Sequence, residues 1–388
     1  MAPDPQQAAE YAEAAEDFLR QYRRRDVAEL HARKALALDP GNARARAVLE
    51  ELARGLKRRA AAGPRYLLVR EWSQGFWSDV DHVIGMCLLA EITGRVPVVW
   101  WGAQSRFSGD PSGNAWERFF EPVSGAGLRE LEAPGLRRFP SKWSDRPLSG
   151  PIRARWTGAG SRLASIELLD RDEELVVSDF HSNLNAILPW AGAAHPLAGV
   201  PLAQAYRALA RKYLRPRPEI TAEVERFAAA HFGGGPLVAV HMRGSDKVEE
   251  VSRLEATLRA YFEPLDARLR AQPGARVFLL TDDERVRAYC AARYGARMLA
   301  TQCTRATSNI GVHYLAQRDP LRTGVEVMVD AYLAARCDAF VGLAYSNVSL
   351  YVSYLKAWPA GSCELFGDNA HEIWNAVPLV MDAPPGAD

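Results

Sequence analysis

From Pro64 onward the chain is written as short apolar runs separated by helical or irregular stretches, and few folds accept that alternation. The runs "YLLV" (66–69), "VPVVWW" (96–101) and "ELVVSDF" (174–180) alternate with stretches such as 79–93 and 199–213. Apolar runs of this length between helices predict a largely parallel sheet covered on both faces. After "LRPRPEI" (214–220), whose prolines and arginines predict a linker, a second alternating unit begins. Its predicted elements are helix 219–231, strand 236–241, helix 253–271, strand 275–281, helix 283–294, strand 296–300, helix 320–336, strand 338–342 and helix 347–357. The architecture this implies is α/β: two Rossmann-like domains facing each other across a cleft, with ligand at the carboxyl ends of the strands.

Residues 7–59 follow a different pattern, with Ala, Leu and charge at helical spacing and a break at Asp39-Pro40-Gly41-Asn42. A small α-helical hairpin is expected, similar to part of a tetratricopeptide unit and offering a surface for a protein contact. The expected division is 1–62 for the hairpin, 63–215 for the first Rossmann-like domain and 216–388 for the second. Residues 141–162, "SKWSDRPLSGPIRARWTGAGSR", lack periodicity and are expected to form a long surface loop.

Composition narrows the partners. Lys+Arg total 48 against 47 Asp+Glu, so no global field attracts nucleic acid or a polybasic-binding membrane surface, and an anion site must be local. The five cysteines show no C-x-x-C spacing, the N-terminus has no basic and apolar leader pattern, and no stretch is long and apolar enough for a membrane span. A cytoplasmic protein with reduced thiols is expected.

Three stretches can carry chemistry. In "VAVHMRGSDKVEE" (238–250) a strand delivers His241 and Arg243 to the crevice edge, and Gly244 permits close backbone approach. Arginine's planar fork suits phosphate oxygens and Lys247 adds a point charge; a solvated turn explains the same residues. In "DAFVGLAYSNVSLYVSYL" (338–355) a strand runs through a small-residue turn into a helix near Asn347, so backbone N–H groups and the Ser346 hydroxyl can bind an anion, unless Ser346 is simply the N-cap. In "REWSQGFWSDVDHVIGMCLLAEITGRVPVVWW" (70–101), a turn at Gly75 leads into an amphipathic helix with Asp79, Asp81 and His82 near its start. The Asp282-Asp283 pair after strand 275–281 is read as helix capping by Thr281 or Asp282 rather than as a metal pair.

These motifs together resemble the superfamily of α1,6- and protein O-fucosyltransferases, bacterial nodulation-type enzymes included. "HMRGSDK" is similar to its H-x-R-x-x-D-K signature, "VFLLTDD" (277–283) to its strand ending in T-D-D, and "DAYLAARCDAFVGLAYSNVS" (330–349) to its last motif. The first-half stretch "SQGFWSDVDHVIGMCLLAEITGR" resembles the turn and helix that open its catalytic region. The resemblance spans roughly 65–357. It implies a GT-B fold and metal-independent, inverting transfer from GDP-fucose, a donor substrate rather than a cofactor. Carried over by residue, Arg243 binds the β-phosphate with help from Ser346 and Asn347, His241 and Asp330 contact the guanine side, and Lys247 lies near the reacting centre. Gly75 belongs to the donor-facing turn.

The chain departs from the pattern at three places. Gly244 replaces a second arginine, Trp77 replaces a glycine, and Val251 stands where the α1,6 enzymes have a glutamate. Glu250 is therefore the first candidate for the base, with Asp79 second. The acceptor is open: a glycan, a protein side chain or a small molecule. A transferase using another nucleotide sugar and a non-catalytic scaffold are the alternatives.

Overall fold

The computed structural model describes residues 4–20, 25–55, 63–110, 112–153, 159–244, 254–315 and 318–373, with backbone alone at 25–26, 53–55, 159–163, 254–260 and 372–373. Two parallel sheets organise the chain after residue 63. The first holds β1 (Tyr66–Arg70), β2 (Val96–Trp100), β3 (Arg138–Phe139) and β4 (Leu175–Ser178) in the order β2-β1-β4-β3. The second holds β5 (Leu237–His241), β6 (Arg276–Leu280), β7 (Met298–Leu299), β8 (Ala339–Leu343) and β9 (Cys363–Phe366) in the order β7-β6-β5-β8-β9. β4, β5 and β8 are buried along their whole length, which is why their sequences run apolar without alternating. The second order reverses once, between β5 and β8, and a crevice opens there at the carboxyl ends.

The N-terminal segment contains three helices, Pro5–Arg20, Arg25–Leu38 and Ala43–Gly55, where the sequence suggests a two-helix hairpin. They bury small side chains, Ala12, Ala28, Ala32 and Ala45 among them, so they approach closely.

The helix Phe76–Thr93 differs more from expectation. It begins three residues earlier than the predicted stretch, with Gly75 at its N-cap, and it is buried on nearly every side rather than amphipathic. Its polar residues read from sequence as a solvent stripe, but Asp79, Asp81 and His82 are all within 1 % of full burial. At Gly85 a Cβ atom would lie 2.8 Å from the Asn183 carbonyl carbon, so only glycine lets the two backbones touch. Gly94 ends the helix in the left-handed conformation and donates its N–H to Ala90 and Glu91.

This helix also joins the halves. The Trp77 ring stacks on Tyr351 of the second half at 4.8 Å, and Tyr206 stacks on Tyr354 at 4.4 Å. Beneath them the Tyr206 hydroxyl donates to Asp81 Oδ1 at 2.6 Å. Asp81 Oδ2 lies 3.6 Å from His371 Nε2 and 3.9 Å from His181 Nε2. The stretch 214–220 is pinned rather than loose: Glu121 N–H donates to Arg215 O at 2.8 Å and Arg217 N–H to Phe119 O at 3.0 Å. The segment after residue 140 is likewise anchored. Trp143 is fully buried, and a helix begins at Ala159 inside the expected loop.

Burial pushes the Asp81 carboxyl up to about 8, against the lowering effect of Tyr206 and Tyr351. Unfolded, the same group ionises near 3.8, so between about 4 and 8 the folded state holds a proton that the unfolded state has lost. Stability from this group therefore falls as pH rises through that window. Asp81→Asn keeps an acceptor for Tyr206 and should flatten the pH dependence of the melting temperature between pH 5 and pH 8; an unchanged slope would contradict this account.

Candidate functional site

The crevice at the β5–β8 reversal holds a cavity of about 490 Å³. Six of the sequence-selected residues for the donor line it together: His241 and Arg243 after β5, Ser346 and Asn347 after β8, Asp330 from the helix Pro320–Ala334, and Gly75; Gly244 does not. From the first half comes the turn Gln74–Gly75 with Phe76 and Trp77, so the cavity lies between the two halves.

Arg243 is held where β5 ends. Its Nη1 lies 3.2 Å from Asp282 Oδ2, and the Gly244 N–H donates to Asp282 Oδ1 at 3.0 Å. Asp282 thus engages the strand end rather than capping a helix. The cap belongs to Asp283, whose carboxylate accepts from Arg285 N–H at 2.8 Å. Asp283 also explains Gly244: a Cβ there would sit 2.6 Å from Asp283 Cβ and 2.7 Å from its Oδ2. No side chain fits, and a second arginine is excluded by this packing.

His241 is buried, its Nδ1 2.7 Å from Ser349 Oγ. Ser349 Oγ also accepts the Leu343 N–H at 3.1 Å, which leaves it both a proton and a second lone pair to meet Nδ1 and ties the ring to the start of the Asn347–Leu355 helix. Burial, and then the neighbouring Arg243 charge, push His241 down to about 3. It is a neutral ring at physiological pH.

Ser346 begins the helix Asn347–Leu355 but forms no side-chain cap with it, which removes the capping explanation for this serine. Ser346, Asn347 and Val348, the cap and first two residues of a nine-residue helix, line the cavity, so its positive end lies there. The Asn347 side chain is committed elsewhere, its Oδ1 2.8 Å from His371 Nε2.

Asp330 accepts the Thr301 hydroxyl at 2.6 Å, and burial pushes its carboxyl up to about 6 against that bond and the Arg305 charge. It is mostly ionised at pH 7, and Cys303 hydrogen-bonds it alongside Thr301.

Asp79 is a correction. It does not line the cavity; it is fully buried, and its two oxygens accept the Ser73 and Gln74 N–H groups at 3.1 Å each. Ser73 sits at φ 67°, a left-handed conformation costly for a non-glycine residue, and Asp79 holds that turn in place. A carboxylate committed to two backbone donors away from the cavity positions the Gly75 wall and does not reach an acceptor. Lys247 and Glu250 lie outside the described residues. Sequence reasoning missed Asp282 as Arg243's partner, and also Trp72, His313 and Tyr314 on the cavity wall. The only signal for Asp282 was its place at the end of β6, beside β5. Among the described residues no group of three or more His, Cys, Asp or Glu side chains is arranged to hold a metal ion, and no helix is long and apolar enough to cross a membrane.

No family model matches the chain, and no curated protein matches it. Solved structures do. The NodZ alpha-1,6-fucosyltransferase co-crystallized with GDP aligns over 76% of this chain and 93% of its own, at 20% identity and a TM-score of 0.53. The same enzyme soaked with GDP-fucose gives 19% identity over 76% and 93%, with a TM-score of 0.54. The fucosyltransferase NodZ from Bradyrhizobium gives 20% over 76% and 92%, with a TM-score of 0.53. At these identities the likeness establishes the fold. The GT-B architecture expected from the motifs is the architecture observed.

Gly244→Ala should place a methyl group against the Asp283 cap. The expected result is a lowered melting temperature together with weaker binding of GDP, read by calorimetry; a variant matching the parent in both would show that the turn has room to spare.

Proposed function

We propose that the chain is a glycosyltransferase that moves fucose from GDP-fucose to an acceptor hydroxyl, with inversion and without a metal. The observation that carries this reading is the convergence of Arg243, Ser346 and the N-terminus of the helix Asn347–Leu355 on one wall of an inter-half cavity. A cation, a hydroxyl and a helix dipole are what a departing diphosphate requires when no metal supplies the charge. The cavity's size falls within the roughly 300–1,000 Å³ usual for ligand clefts. The structures of the same fold that contain GDP or were soaked with GDP-fucose support the choice of donor.

In the proposed reaction the acceptor oxygen bonds to the anomeric carbon as the bond from that carbon to the β-phosphate oxygen breaks. The electron pair leaves on GDP, and the acceptor proton passes to a base. Arg243 takes up the charge that develops on the β-phosphate. Asp282 holds Arg243 and would share it with the diphosphate. Asp330 receives guanine N–H donors, and the neutral His241 ring contacts the donor on the same side. Lys247 is placed near the transferred sugar, and Glu250 is the base. Residues 63–215 form the acceptor domain and 216–388 the donor domain; the N-terminal helices offer a contact for another protein, in a cytoplasmic enzyme. Because the packing of Gly244 excludes the second arginine, another nucleotide sugar is the alternative donor.

A panel of GDP- and UDP-sugars decides the donor: GDP-fucose should bind and be turned over best, and no preference for any GDP-sugar would sink the reading. Arg243→Ala should cut turnover of GDP-fucose by about 10²–10³-fold. Unchanged turnover would place the diphosphate elsewhere. If the ionised Asp330 accepts the guanine donors, GDP affinity should be level above pH 6 and fall toward tenfold per pH unit below it, since protonation removes the acceptor. Asp330→Asn should abolish that slope; a slope that survives would assign it to another group.

A further inference from the structure

In the first half, the segment 138–153 lies across the carboxyl ends of β1 and β4 and carries Arg138, Lys142, Arg146 and Arg153 against one carboxylate of its own, Asp145. Arg70 at the end of β1 donates to Gly150 O at 3.1 Å and stands 5.2 Å from the Trp143 ring centre. Trp143 Nε1 donates to Asp179 Oδ2 at 2.9 Å, just past β4, and Lys142 Nζ lies 2.7 Å from the same oxygen. These contacts tie the segment to both strands.

Two of the charges are balanced, Arg70 by Glu71 and Lys142 by Asp179. Arg138, Arg146 and Arg153 have no carboxylate partner among the described residues. Arg138 is spent on the Trp143 and Arg146 carbonyls, at 3.3 and 3.1 Å. Arg146 is half-buried, its guanidinium 4.3 Å from the centre of the Trp143 ring, which fixes the plane of the fork and leaves its edge to a ligand. Burial, then the Arg153 and Arg70 charges, hold Arg146 below the usual guanidinium range, with Asp179 offsetting them only in part, so an anion beside it would be favoured.

Two short stretches of chain link the patch to the cavity wall. Gln104 Oε1 accepts the Ile152 N–H at 2.6 Å, and three residues on from Gln104, Phe107 lines the cavity; from β1, Arg70 leads to Trp72 on the same wall. We infer that the acceptor is an anionic molecule whose carboxylate or phosphate group is held by Arg146 and Arg153 while its hydroxyl faces the donor. This rests on the glycosyltransferase reading. It assigns the 138–153 segment, Trp143 included, to recognising the acceptor's charge rather than to stacking on a sugar face.

The test is calorimetric titration of the GDP-saturated protein with glucose, glucuronate and glucose 6-phosphate; saturating GDP keeps phosphate off Arg243. At least one charged probe should bind ten times more tightly than glucose, with affinity that falls as salt rises. Comparing the two charged probes separates carboxylate from phosphate. Arg146→Ala and, separately, the exposed Arg153→Ala should each weaken the charged probe about tenfold while GDP affinity is unchanged, and Arg146→Lys should restore part of the loss. Glucose binding as tightly as the charged probes, no saturable binding of either charged probe, or indifference to both alanine variants would overturn the inference. If GDP itself fails to bind, the donor reading falls separately, and the same titration on Arg243→Ala without nucleotide still decides the anion subsite.

Discussion

The parallel pairing of β5 with β8 governs the rest of the site. Val238, Ala239 and Val240 align with Ala339, Phe340 and Val341, so the chain leaves both strands at one edge and on either side of the sheet's reversal. Residues more than 100 positions apart, Arg243 and Ser346, are brought to one wall by that register alone. β6 pairs on the other side of β5 and adds Asp282, which holds Arg243 by its side chain and Gly244 by its backbone. The charge of the site is therefore set in place by backbone hydrogen bonds between the buried strands β5, β6 and β8, which are costly to break.

A second constraint is that the two halves share a core. The buried helix Phe76–Thr93 inserts Trp77 against Tyr351 and Tyr332, while Asp81 collects Tyr206, Tyr351 and the two histidines behind it. The first half then contributes its turn to the cavity through the same helix that anchors it. Asp79 shows the economy of this arrangement: the residue nearest the helix start fixes the turn by two backbone bonds, and Gly75 at the end of that turn forms the wall. Arg106 extends the tie at the mouth, donating to Ser73 O at 2.7 Å and facing the Tyr314 ring at 4.3 Å.

The sheet strands that are buried on both faces were legible because burial demands continuous apolar runs, and β1, β2, β5, β6 and β8 fall within a residue or so of the expected spans. β3, two residues long, and β9, half-buried at the edge, carry no such run, and neither was expected. Polar residues in the helix Phe76–Thr93 misled for a definite reason: each is satisfied internally, so composition signals solvent where the structure has core. His241, Arg243, Asp330 and Ser346 were singled out from motif and position, and they line one cavity because a parallel sheet sends its loops to one edge. Asp282 was not, since two adjacent carboxylates at a helix start look alike in sequence and only the direction of β6 separates the cap from Arg243's partner. Asp79 failed as a base because proximity along the chain says nothing about whether its oxygens are already committed.

The account turns on where a nucleotide diphosphate rests. A crystal structure of the protein with GDP tests this most directly: the account predicts the β-phosphate between Arg243 and the Asn347–Leu355 helix start, with the guanine toward Asp330. A diphosphate bound away from Arg243, or a guanine on the first-half side of the cavity, would contradict it.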